Sequence, residues 1–188
     1  SIKPYPNIKE HFDKFQDVIT SSNKPYGLHR AREEKFFKGE KIISLRKCVR
    51  PTFTFTDFDC YVSQTYFSIR TKNMDQKYLT GLLNSDLIAF WLKYQGKMQG
   101  DLYQVDKAPL LDLPINKPLE EKQNEVAQSV ENIISTKQKQ LDYEALLEKA
   151  KAENNFDREI KLTNELEQFA KDISQDESKI NSIIFKLY

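Results

Sequence analysis

Residues 75–94 read DQKYLTGLLNSDLIAFWLKY. Tyr78, Leu79, Leu82 and Leu83 recur at three- and four-residue spacing and so share one face of a helix. Asn84-Ser85 interrupts the pattern. Ser85 is suited to cap a second helix, whose apolar positions are Leu87, Ile88, Trp91 and Leu92. Gly81 in the first helix costs roughly 1 kcal/mol relative to Ala. Its presence there predicts a neighbour packed too closely to admit a side chain.

Upstream, Ile8, Phe12, Phe15 and Ile19 recur at helical spacing, which predicts a helix over 7–20 with Asn7 as its N-cap. SSNKPYG (21–27) breaks it. Three strand-like runs follow: KIISLRK (41–47), TFTFTDFD (52–59) and CYVSQTYFSIR (60–70). Asp57 and Asp59 lie where the last two runs meet, which predicts a hairpin between them. Downstream, QGKMQGDLYQVDK (95–107) reads as a loop, and APLLDLPIN (108–116) reads as extended chain punctuated by Pro109 and Pro114.

After Pro118 the chain contains neither Pro nor Gly. Val126, Val130, Ile133, Ile134 and Leu141 form one apolar series. Ile160, Leu166, Phe169 and Ile173 form a second, and Ile180, Ile183, Ile184 and Leu187 a third. Glu120 and Glu121 suit a helix's first turn. ENNFD (153–157) is the natural reversal, and SQDE (174–177) can act as a capping box where the second helix restarts. The expected fold is α+β. A small, twisted, mostly antiparallel sheet with packed helices occupies 1–115, and a long antiparallel helical segment occupies 116–188.

The chain of 188 residues is 39% apolar and 12% aromatic, as a folded protein requires. No apolar run reaches the roughly 20 residues of a membrane span, and SIKPYPNIKE lacks a signal core. A cytoplasmic protein is expected, and the absence of an initiator Met suggests a piece of something longer. Cys48 and Cys60 stand apart from any CxxC or Cys/His cluster, so two reduced thiols are expected rather than a zinc site. Lys97 follows Gly96, but Trp91 and Met98 stand where a Walker loop needs Gly and a hydroxyl residue. No GxGxxG, GxSxG or Asn/Asp-Pro-Pro-Tyr/Phe segment occurs, and VDK (105–107) lacks a paired acid. His29 beside Arg30 reads as a surface histidine. No chemistry by this chain alone is expected.

The charge is uneven. Residues 1–112 hold 18 Lys and Arg against 13 Asp and Glu, net +5, whereas 113–188 hold 11 against 15, net −4. Residues 24–50 alone are net +6. A basic zone in a near-neutral chain points to a polyanion. Arg30 and Arg32 are able to make forked contacts to guanine or phosphate, and Lys35, Arg46, Lys47 and Arg50 extend the zone. In 95–107, Lys97 and Lys107 are candidates for phosphate, and Gln99 and Gln104 for groove contacts. Gly96 and Gly100 would let that backbone approach a partner. Gln64 and Tyr103 complete the candidate DNA contacts.

The order of YPNIKEHF, KPYGLHRAR, FFKGEKIISLRK, YVSQTYFSI, YLTGLLNSDLIAFWLKYQGK and APLLDLPI resembles the TaqI-like C-terminal specificity domain. That domain occurs in adenine-N6 DNA methyltransferases and in fused type IIG (Eco57I-like) restriction–modification enzymes. The terminal INSIIFKLY resembles the family's last helix. The resemblance implies a target recognition domain that grips duplex DNA, chiefly in the major groove. It also implies a methyltransferase or endonuclease domain N-terminal to this chain. S-adenosylmethionine and Mg²⁺ would belong to that domain, with no cofactor in this one. The loop 95–107 carries Lys, Gln and Asp where the family is often richer in Gly and Arg. Two alternatives stand beside this reading: half of a type I restriction specificity subunit, and a helical protein–protein scaffold.

Overall fold

The computed structural model describes residues 2–17 and 33–188. The chain divides into two compact units, Ser1–Phe36 and Phe37–Tyr188. In the first, α1 spans Pro6–Asp13. Pro6 stands at its start, where a fixed φ and a missing N–H cost nothing. Tyr5 therefore occupies the N-cap position, and Asn7, expected there, lies inside the helix. Ile8, Phe12 and Phe15 are exposed. Ile19 and the SSNKPYG break lie outside the described residues. A 3₁₀ turn follows at Glu34–Phe36.

The second unit opens with β1 (Lys41–Leu45), β2 (Lys47–Cys48), β3 (Phe53–Thr56) and β4 (Tyr66–Ile69). β1 is the centre of an antiparallel sheet ordered β3-β1-β4, with Ile42 opposite both Phe55 and Ile69. The expected hairpin between 52–59 and 60–70 is not formed, because β1 lies between those strands. The connecting loop is tied to the start of β1 instead. Asp59 accepts the Gly39 N–H at 2.9 Å and pairs with Lys38 at 3.0 Å. Both contacts hold the Asp59 carboxyl below its ordinary pKa, the Gly39 N–H most strongly. The buried Lys41 ammonium donates to the carbonyls of Gly39 and Phe58.

α2 (Gln76–Asn84) and α3 (Asp86–Gln95) follow as the spacing predicts. Asp75 caps α2 by accepting from the Tyr78 N–H, and Ser85 caps α3 by accepting from the Ile88 N–H. The Asn84 carboxamide bonds both the N–H and the C=O of Phe53, covering the open edge of β3 as a strand would. Two short strands, β5 (Lys97–Gln99) and β6 (Leu102–Gln104), replace the expected loop. α4 (Lys107–Leu111) then occupies part of the segment expected to be extended.

α5 (Glu120–Ala152) and α6 (Phe156–Leu187) form the long antiparallel pair. Asn154 turns the chain with φ +53°, and Asn155 caps α6 by accepting from the Arg158 N–H. The capping-box sequence SQDE does not restart the helix. Ile173 and Ile180, on either side of it, are both buried, and packing carries α6 through. Val126, Val130, Ile180 and Ile184 join Ile42, Phe53, Tyr78, Leu79 and Leu82 in one core. A Cβ on Gly81 would lie 2.5 Å from Val126 Cγ1 and 3.1 Å from Val130 Cγ2, the close packing that its sequence position predicted.

Asn116 fastens the base of the pair. Its carbonyl accepts from Tyr78 Oη at 2.8 Å and its Nδ2 donates to the Leu187 carbonyl at 2.6 Å. Its N–H donates to Tyr188 Oη, which in turn donates to the Pro114 carbonyl. Among the described residues no helix is long and apolar enough to cross a membrane.

Candidate nucleic-acid interface

β1 leaves the first sheet at Arg46. The Arg46 N–H donates to the Thr65 carbonyl at 2.9 Å, and the Arg46 carbonyl accepts from the Val105 N–H at 2.8 Å. One residue thus bridges two sheets, because the next, β2, enters a second antiparallel sheet ordered β2-β6-β5. Lys47 faces Gln104 and Cys48 faces Tyr103. Across the other edge of β6, Lys97 faces Gln104, Met98 faces Tyr103 and Gln99 faces Leu102.

Directly opposed residues share a face, and neighbours along a strand alternate. Lys47, Gln104 and Lys97 therefore form one cross-strand row, with Gln99 and Leu102 on the same face. Cys48 and Tyr103 lie on the opposite face and pack against the core. The Lys/Gln face is the outward one: Lys47, Lys97 and Gln99 are exposed and Gln104 is half-buried. Burial raises the Cys48 thiol pKa, as suits a packing residue rather than a nucleophile. Cys48 and Cys60 are both free thiols.

The glycines of this stretch serve the fold. Gly100 (φ +59°) opens the two-residue turn between β5 and β6. A Cβ on Gly96 would meet the Leu92 carbonyl at 2.4 Å, so Gly96 closes the end of α3.

Asp106 organises the charged end of the sheet. Its Oδ1 lies 3.3 Å from Arg46 Nη2, and its Oδ2 accepts from Gln104 Nε2 at 2.9 Å. The Arg46 guanidinium sits over the Phe67 ring, 5.1 Å from its centroid. Lys107, at the start of α4, is exposed.

Other sequence candidates lie elsewhere. Arg50 pairs with Asp86 at 2.5 Å, and Asp86 exchanges two hydrogen bonds with Asn181 of α6. Arg50 thereby ties the β2–β3 connection to the helices and lines a groove of about 620 Å³ with Val130, Lys137 and Glu177. Gln64 is exposed on the loop between β3 and β4. Lys35 belongs to the first unit, where it pairs with Glu33. Arg30, Arg32 and His29 lie outside the described residues. Among the described residues no group of three His, Cys, Asp or Glu is placed to hold a metal.

Sequence reasoning missed Asp106. The available signal was its position two residues after Gln104 and just before a short helix.

A small α+β unit with lysines and glutamines on the outer face of a short sheet has the character of a recognition module. Residues 2–115 match the TaqI-like C-terminal specificity domain, more than half of the chain, and the chain belongs to that family. Membership points to a DNA target-recognition module of restriction–modification enzymes, a class that is generally non-catalytic. A search of curated proteins returns no match.

Proposed function

We propose that the chain recognises a short sequence in duplex DNA through the outward face of the β2-β6-β5 sheet. The observation that carries this reading is the row Lys47–Gln104–Lys97, in a chain of the specificity-domain family. A major groove about 12 Å wide admits a β-ribbon. Lysines at both edges suit phosphates, and Gln104 between them, with Gln99 beside Lys97 on β5, suits base edges, adenine above all.

In this reading residues 1–115 recognise DNA, and the helical segment 116–188 docks them to an adenine-N6 methyltransferase or endonuclease domain of a type IIG enzyme. S-adenosylmethionine and Mg²⁺ are assigned to that domain, and the assembly to the bacterial cytoplasm as a defence system. Fluorescence anisotropy on a random-sequence duplex tests the reading at low and moderate salt. Binding should weaken steeply as salt rises. No binding at low salt would remove it.

A further inference from the structure

Asp106 occupies the N-cap position of α4, where an aspartate ordinarily accepts from the N–H of the second or third helical residue. It makes no such bond. The third helical residue is Pro109, which has no N–H to give. The carboxylate turns instead to Gln104 Nε2 and Arg46 Nη2, with its side chain only 23% exposed. A carboxylate only accepts, so this contact decides which end of the Gln104 amide faces inward. The nitrogen faces Asp106. The oxygen and the second N–H remain for a partner.

We propose that Asp106 is the positioning residue for sequence recognition, an inference that rests on the DNA reading above. It holds Gln104 with one acceptor and one donor presented together, the pair that matches the N6 and N7 edge of adenine. At the same time it neutralises Arg46, which lies over Phe67 beside the same sheet. One carboxylate thus selects the base-reading geometry and restrains a cation that would otherwise bind any phosphate.

The two effects separate chemically. Asp106→Asn loses the charge, but its amide oxygen still accepts from Gln104. Asp106→Ala loses both.

The experiment selects bound duplexes from a randomised library with the whole chain, and measures the salt dependence of binding to poly(dG·dC). Wild type should show an adenine preference that Gln104→Ala reduces by about tenfold. Asp106→Ala should reduce it equally, with no further loss in the double variant. Asp106→Asn should keep the preference. Both Asp106 variants should bind poly(dG·dC) with a salt slope steeper by about 0.9, one added phosphate contact. Circular dichroism melting confirms that each variant is folded.

An Asp106→Ala protein that binds with the wild-type preference overturns this inference and leaves the DNA reading standing. Wild type that binds no duplex at low salt overturns both.

Discussion

In the β3-β1-β4 sheet the strands run four or five residues, and Ile42 and Phe53 are buried in the core. In the β2-β6-β5 sheet they run two or three, and Lys47, Lys97, Gln99 and Leu102 of its outer face are exposed. The first sheet is held by apolar burial, the main favourable term in folding. So short a second sheet is marginal alone. It is held by the two backbone bonds of Arg46 and by the inward faces of Cys48 and Tyr103. Burial is thus concentrated in the first of two sheets joined at one residue, and on the proposed reading recognition falls to the second, whose outward side chains should then change without unfolding the chain.

The strongest way to break this comparison is Phe53→Ala. It should cost about 3–5 kcal/mol of unfolding free energy in urea titration. Hydrogen-exchange protection of the Val105 N–H should fall together with that of β1. Val105 protection that survives would show that the second sheet stands alone.

Next comes Gly81→Ala. The added methyl gains roughly 1 kcal/mol of helix propensity but meets Val126 Cγ1. Overpacking costs about 1–3 kcal/mol, so a net loss is expected in the same titration. A more stable variant would mean that α5 yields freely.

Tyr78→Phe should cost about 1 kcal/mol through the bond to the Asn116 carbonyl. Burial, with Tyr188 nearby, pushes the Tyr78 hydroxyl up to about 12 from 10.0. A folded-state pKa above the unfolded one gives stability that is complete below pH 10 and lost as pH rises towards 12. Melting temperatures across that window should fall less steeply in the variant. An unchanged alkaline slope would sink the assignment.

The smallest expected effect on folding sharpens the contrast. Lys47→Ala and Lys97→Ala should each change stability by less than about 0.5 kcal/mol. Each should also reduce the salt slope of DNA binding by about 0.9. A loss of several kcal/mol in folding from either would place that residue in the framework rather than on the surface.

What the sequence made legible was local. The α2–α3 pair, the Ser85 cap, the reversal at Asn154 and the meaning of Gly81 follow from spacing and from single-residue preferences. Strand order was hidden, because β1 reaches its partners through non-local pairing. The second sheet was hidden because three-residue strands of Lys, Met and Gln carry no apolar alternation, and β2 lies far away in sequence. Of the candidate contacts, Lys47, Lys97, Gln99 and Gln104 come together on one face. Arg50 instead spends its charge on Asp86, a partner that spacing could not reveal. The unbroken α6 shows tertiary burial at Ile173 and Ile180 overriding a local restart signal.

The clasp at Asn116 gives the helical pair an unusual freedom of length. The chain enters α5 and leaves α6 at neighbouring points, because Tyr188 and Leu187 bond back to Pro114 and Asn116. α5 extends about 50 Å from that point at 1.5 Å per residue. Matched insertions or deletions at the Asn154 end would change the reach of the pair and leave the clasp, the core and the outward sheet where they are. If the outward sheet reads DNA as proposed, reach and recognition are then independent variables within one polypeptide.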